Sequence, residues 1–288
     1  MTMVRIAVPN KGRLNQSAIR LMNKIGFPVP DSSNRTLLAE FSKGRYQVLL
    51  ARAQDIPEFV EMGAADIGIT GLDLVKETGR KVESIMDLDF GKCRLVVAVP
   101  EDSKVEAAED VSDGCTVATC FPNLTKAFFS GIGKKVNIAE VSGAAEVAPQ
   151  VGLADIITDL TETGSTLKLN HMKEVGCVLE SRAVMIGNAA AMAKKKERID
   201  EVIEAVKSVM NASRKRYLMA NVPKANLINL NTLLPGVSGP TVMNIYGRDD
   251  LVAIHAVTNE DEINAVIAML KGVGATGILV VPIERMVL

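Results

Sequence analysis

The sequence predicts an α/β protein: two lobes built on largely parallel sheets, then a smaller domain of βαββαβ order. Three observations carry that expectation. Short apolar, β-rich runs alternate with helix-like runs over most of the chain before Lys194, the pattern of a parallel sheet sandwiched by helices. FGKC at 90–93 reads as a crossover between two such series and CVLESRAVMIG at 177–187 as a return strand; two lobes joined by paired crossovers leave a cleft where ligands usually bind. Beyond a long polar-faced helix the order of elements changes.

In the first lobe, VRIAVPN, YQVLLAR and ADIGIT are strand-like, and each precedes a Gly, Asp or Pro turn signal. Leu14, Ala18, Leu21, Met22 and Ile25 keep helical spacing and stop at Gly26. Asp55, Pro57 and Glu58 form a capped helix start that ends at Gly63. The second lobe repeats the scheme with RLVVAVP, CTVATC, KVNIAEV and LADIITDL, separated by helical stretches at 122–131 and 143–151. The expected division is 1–92 with 180–212 for lobe I, 93–179 for lobe II, and 213–288 for the last domain.

From Lys194 to about Arg216 one helix is expected, with Ile199, Val202, Ile203, Val206 and Val209 on one side and Lys194–Lys196 on a solvated face. There follow a strand (217–222), a helix (224–233), two strands (241–246, 251–257), a helix (260–272) and a strand (277–282). Asn259 and Glu262 make a capping-box-like start, and Ile263, Val266, Ile267 and Leu270 supply the buried stripe. That order is the ferredoxin-like pattern.

Composition excludes several functions. The net charge of −1, three tyrosines and no tryptophan offer neither a global field nor a stacking platform for nucleic acid. The N-terminal apolar run is too short for a secretory segment, and no 18-residue apolar stretch occurs, so a cytoplasmic protein that does not enter a membrane is expected. Cys93, Cys115, Cys120 and Cys177 form no CxxC pair; they read as reduced, buried thiols. Only His171 and His255 are present, so sites built on several imidazoles are excluded. His255 shares a strand face with Leu251, Ala253 and Val257, whereas His171 lies at a helix end on the surface.

Two nucleotide motifs are decoys. GVGATG at 272–277 follows a helix and precedes a strand, the reverse of a dinucleotide fingerprint. SGIGKK at 130–135 lacks the first glycine and the final Ser or Thr of a P-loop. DIITDLTETGSTL at 155–167 carries more. Its strand delivers Asp159 to the sheet's C-terminal edge, and TETGST turns into a helix near Thr166. Hydroxyls of Thr163, Ser165 and Thr166, with N–H groups at the helix start, would cradle a phosphate dianion, and Gly164 lets the backbone approach. A carboxylate just before the turn suits a ribose hydroxyl pair, so the stretch points to a 5-phosphoribosyl group. A plain Thr/Ser helix cap is the competing explanation.

Extended backwards, EVAPQVGLADIITDLTETGSTL (146–167) resembles the signature of the ATP phosphoribosyltransferase family, through Glu146, Gly152, Ala154, Ile157, Asp159, Thr163, Gly164, Thr166 and Leu167. PNKGRL (9–14), RAQDIP (52–57), GAADIGITGLD (63–73), DFGKCRLVVAVP (89–100), VATCFPNLT (117–125) and GATGILVVPIERM (274–286) agree with it. Phe121 and His171 depart from the residues common there, Tyr and Gly. The resemblance spans the chain and points to the family's long form. It implies a periplasmic-binding-protein-like two-lobed catalytic unit plus a regulatory domain.

The reaction so implied joins N1 of ATP to C1′ of phosphoribosyl pyrophosphate and releases pyrophosphate, with Mg²⁺ carried chiefly by substrate phosphates. Asp159, Arg13 and Arg52 are the implied catalytic residues. Asp155, Asp159, Thr161, Glu162, Thr163, Gly164, Ser165 and Thr166 would bind the phosphoribosyl group. Lys11, Gly12, Arg13, Arg52, Asp73, Arg94 and Glu146 would face ATP or pyrophosphate. Histidine, the inhibitor, would meet Asn221, Thr241 and Ala275, and dimers would assemble into hexamers. The rivals are a two-lobed solute-binding protein with a sensor domain, and a phosphoribosyltransferase acting on a free base.

Overall fold

A computed structural model describes residues 3–29, 37–229 and 239–288. By its contacts the chain divides into one unit up to Ile199 and a second from Asp200 to Leu288. The first unit is two-lobed and the second carries a ferredoxin-like sheet.

The first lobe contains β1 (Val4–Pro9), α1 (Asn15–Lys24), β2 (Leu38–Phe41), β3 (Tyr46–Ala51), α2 (Ile56–Glu61), β4 (Ile67–Gly71), α3 (Leu72–Thr78) and β5 (Glu83–Asp87). The second adds β6 (Cys93–Pro100), β7 (Thr116–Thr119), α4 (Pro122–Gly131), β8 (Asn137–Glu140), β9 (Ile156–Thr161), α5 (Ser165–Leu169) and β10 (Met172–Ser181). β11 (Ala183–Gly187) then returns to the first sheet, followed by α6 (Ala189–Lys194) and α7 (Lys196–Ala212). The sheets run β2-β3-β1-β4-β11-β5 and β10-β6-β9-β7-β8.

β1 pairs in parallel with β3 and β4, aligning Pro9 with Ala51. The loops 10–13 and 52–55 and the first turn of α3 at 72–73, which follow these strands, therefore share one sheet edge, where α/β proteins bind ligands. In the second lobe β9 is parallel to β7 and antiparallel to β6, so Thr161 stands opposite Arg94 at the start of β6. β10 ends with Ser181 opposite Cys93. Both crossovers, Phe90–Lys92 and Arg182, thus lie beside the C-terminal end of β9.

Several local expectations are revised. Asp55 makes no side-chain cap to α2. The stretch 143–151 yields only the 3₁₀ turn Ala145–Val147. The long helix is broken at Lys195, which is not solvated: its Nζ meets both Asp66 oxygens at 2.8 and 2.7 Å and the Met3 carbonyl at 2.7 Å. Asp66 is buried, and removing one partner of such a pair strands a charge. The four cysteines are free, but only Cys93 is buried, and Cys177 is exposed.

The lobes also touch through Glu77, in the last turn of α3. Its carboxylate accepts the N–H groups of Asn123 and Leu124, each at 2.9 Å, and its carbonyl accepts from Asn123 Nδ2 at 2.9 Å. α4 begins after Phe121, which offers no capping atom, so a carboxylate from the other lobe satisfies its first-turn donors. Glu77→Ala is expected to lower stability by about 1–2 kcal/mol, read from urea unfolding. An unchanged midpoint would show that water caps α4 equally well.

The second unit forms a four-stranded antiparallel sheet in the order β13-β14-β12-β15, from β12 (Lys215–Pro223), β13 (Thr241–Ile245), β14 (Arg248–Asn259) and β15 (Thr276–Pro282). α8 (Ile263–Gly272) packs Val266 and Leu270 against Leu218, Ala220, Val222, Val252 and Ile254. The helix expected at 224–233 is a 3₁₀ segment over Lys224–Asn229, and 230–233 lie outside the described residues. Asn259 Nδ2 donates to Glu262 Oε2 at 3.1 Å but does not cap α8. His255 lies on β14, where its Nδ1 is 2.6 Å from Tyr217 Oη.

Candidate active site

Arg13 follows β1 on a tight turn in which Gly12 takes a left-handed φ of 83°. Its guanidinium is fixed on two sides. Nη2 donates to both Asp73 oxygens at 3.1 and 3.2 Å, and Nη1 donates to the Gly91 carbonyl at 2.5 Å. Asp73, in the first turn of α3, is 1% exposed. Its Oδ1 accepts from Ser181 Oγ at 2.6 Å, and its backbone N–H donates to the same hydroxyl at 3.0 Å.

Two glycines leave room for this cluster. A Cβ on Gly71 would lie 2.2 Å from Asp73 Oδ1, and one on Gly91 would lie 2.3 Å from the Leu14 side chain. Gly91 also has a φ of 67°, which disfavours any other residue.

The free side of Arg13 opens on a cavity of about 280 Å³ lined by Cys93, Leu160, Thr161, Glu162, Thr163, Ser165 and Thr166. The loop is self-ordered. Thr161 Oγ1 accepts the Gly164 N–H at 2.8 Å, Thr163 Oγ1 and Ser165 Oγ stand 3.0 Å apart, and Gly164 has a φ of 79°. One lobe thus supplies a pinned cation and the other a turn rich in hydroxyls. This chemistry suits an anion with several acceptor oxygens.

Other predicted residues fall elsewhere. Asp159 lies inside β9, one residue beyond the end of its pairing with β7, where its carboxylate accepts the Leu160 N–H at 2.8 Å. Burial pushes its pKa up, the Leu160 N–H opposes that, and Glu146 adds to it. Asp159, Glu146 and Glu140 together help raise the Cys120 thiol, after the larger effect of burial. Cys120, Phe121 and Glu140 face Gln54, Leu74 and Glu77 across an inter-lobe cavity of about 900 Å³. Asp155 does not join the site. It stands at the opposite end of β9 and accepts the Thr116 N–H at 2.8 Å, because a strand carries residues four apart to well-separated ends.

Lys11 and Arg52 are exposed at the first lobe's binding edge. Arg94 is instead engaged by a forked ion pair with Glu174 on β10. Asp73 neither caps α3 nor faces solvent; it holds Arg13. In the second unit Asn221 adjoins Thr276, next to Ala275, while Thr241 lies two strands away opposite His255. Cys93, Leu160, Gly91 and Ser181 were missed by sequence reasoning. Gly91 and Cys93 lie in the FGKC crossover, Leu160 in the LADIITDL strand and Ser181 in CVLESRAVMIG, but no local signal marked any of them as functional.

Two family models cover most of the chain: ATP phosphoribosyltransferase over residues 52–208, and the HisG C-terminal domain over residues 212–285. The chain belongs to the ATP phosphoribosyltransferase family. Enzymes of that name from Methanococcoides burtonii and Gemmatimonas aurantiaca are each 47% identical, covering 99% of this chain and 100% of their own. The chain from the ATP phosphoribosyl transferase (HisG:HisZ) complex of Thermotoga maritima is 27% identical with a TM-score of 0.62, covering 71% of this chain and 99% of that one. This chain therefore has the long form's extra domain. A periplasmic sulfonate-binding protein from Methylobacillus flagellatus, 16% identical with a TM-score of 0.50, shares the two-lobed fold. The ATP phosphoribosyltransferase family is one of histidine-pathway pentosyltransferases, so the solute-binding alternative is set aside.

Among the described residues no helix is long and apolar enough to cross a membrane, and no group of three His, Cys, Asp or Glu side chains could hold a metal ion.

Proposed function

We propose that the chain transfers the 5-phosphoribosyl group of phosphoribosyl pyrophosphate to N1 of ATP, forming phosphoribosyl-ATP and pyrophosphate, in the cytoplasm and as the committed step of histidine biosynthesis. The observation that carries this is the Arg13-facing cavity closed by the Thr161–Thr166 turn. The turn holds the 5′-phosphate. Glu162 lines the same cavity, and a carboxylate repels phosphate, so with Asp159 it serves the ribose hydroxyls.

Adenine N1 attacks C1′ with its own lone pair, and the C1′–O bond breaks with its electrons leaving on pyrophosphate. No strong base is required; positioning and cations for the leaving group are. Lys11, Arg13 and Arg52 supply these from the first lobe. Mg²⁺ would enter on substrate phosphate oxygens, where it would neutralise charge on the departing pyrophosphate. Glu146, beside the inter-lobe cavity, is the contact for ATP.

Histidine acts on the second unit, at a site using Asn221, Thr241 and Ala275 contributed by more than one copy, and biases assembly of dimers into hexamers. The exposed Val242, Met243, Leu279, Val280 and Val281 on its sheet support packing against further copies.

Incubation with phosphoribosyl pyrophosphate, Mg²⁺ and either ATP or free purines tests the reaction: pyrophosphate release should require ATP, and release with free bases alone would favour a different acceptor. Replacing Thr163 and Thr166 together with valine is expected to raise KM for the phosphoribosyl donor by about 10- to 100-fold. An equal rise for ATP would contradict the loop's assignment.

A further inference from the structure

We infer that Ser181 is a positioning residue for Arg13, acting through Asp73. The argument rests on reading the Arg13 cavity as the donor's phosphate pocket. Ser181 ends β10, immediately before the second crossover, and it is 4% exposed. It touches none of the cavity's space, yet its hydroxyl engages Asp73 twice: Oγ donates to Oδ1 at 2.6 Å and accepts the Asp73 N–H at 3.0 Å.

This double contact fixes what the carboxylate can do. The Ser181 proton and one Arg13 N–H both use Oδ1, while Oδ2 takes a second Arg13 contact at 3.2 Å. The serine therefore sets the rotation of the carboxylate plane, and that plane fixes where Arg13 Nη2, which donates to both oxygens, can sit. The Gly91 carbonyl holds the other terminal nitrogen. Arg13 is thus pre-oriented by a loop of one crossover and a strand end of the other. The Leu72 N–H, bonded to the Arg182 carbonyl at 2.9 Å, ties α3 to the same crossover. A pre-oriented cation need not reorganise when an anion arrives, which is where such a device gains its effect.

Calorimetric titration of the full chain with phosphoribosyl pyrophosphate and Mg²⁺, without ATP, tests the inference. Ser181→Ala is expected to weaken binding about tenfold, as loss of a hydrogen bond to a charged group does, and to raise KM for the donor with KM for ATP changed less than about twofold. In an Asp73→Asn background the same change should alter affinity less than about twofold, because the hydroxyl reaches Arg13 through the carboxylate; a larger residual effect would assign the role to the Cys93 thiol, which the same hydroxyl also meets, and overturn the inference. Effects that instead multiply, or that fall equally on ATP, overturn the inference.

Ser181→Thr and Ser181→Val form a second pair of equal shape differing in the hydroxyl, so packing cannot account for a difference between them. Thr is expected to bind about tenfold tighter than Val, and equal binding overturns the proposal. If wild-type protein does not bind the donor, the cavity assignment itself fails; if it binds and Ser181→Ala binds equally well, only the role of Ser181 fails.

Discussion

Arg13→Met is expected to lower kcat/KM for phosphoribosyl pyrophosphate by about 10²- to 10³-fold, the loss typical when a pre-oriented charge stabiliser is removed. The guanidinium is held by Asp73 and the Gly91 carbonyl, so its remaining face is committed to the cavity before substrate binds. Arg13→Lys should recover only part of the activity. A single ammonium cannot reach two Asp73 oxygens, the Gly91 carbonyl and a ligand together. Arg13→Met also leaves Asp73 buried without its cation, so thermal melting must accompany the kinetics and rates should be referred to the folded fraction. Wild-type kinetics in a folded Arg13→Met protein would remove the residue from the site.

Asp159→Asn is expected to cut kcat/KM by about 10²-fold, two hydrogen bonds to a charged acceptor being worth that much, while stabilising the unliganded protein at neutral pH. Burial, reinforced by Glu146 against the opposing Leu160 N–H, raises the carboxyl's folded-state pKa. The folded chain therefore keeps its proton at pH values where the unfolded chain has released it. The penalty is absent below the unfolded-state pKa and complete above the folded-state one. Asn removes that penalty, so the gain in melting temperature should appear at neutral pH and vanish as pH falls through the carboxylate range. Ribose hydroxyls donate to the charged form, so binding should reverse the shift and release a proton at mildly acidic pH. A variant that melts lower than wild type at neutral pH would contradict the burial argument.

Strand and helix spacing carried most of the architecture. β1, β3, β4, β6 and β9 lie where apolar runs place them, because strands covered on both faces, parallel or not, need continuous hydrophobic sequence. Boundaries failed where a tertiary partner competes with local preference. Lys195 looked like part of a solvated helix, but Asp66 captures its ammonium at the break between α6 and α7. The stretch 143–151 has helical composition, yet only Ala145–Val147 winds, after Ala144 enters a left-handed conformation.

Sequence by itself determined the family, the two-lobed plan with its appended domain, and the hydroxyl-rich turn at 161–166, because these reside in contiguous residues whose spacing is a local property. Only the tertiary structure decided that Asp73 faces inward onto Arg13, that Arg94 is engaged by Glu174, that Asp155 stands at the far end of its strand, and that Ser181 joins the cluster. Those are pairings between residues 60 to 108 positions apart, or between opposite ends of one strand. The register of the crossovers selects them, and no periodicity in the chain encodes which side chain will meet which.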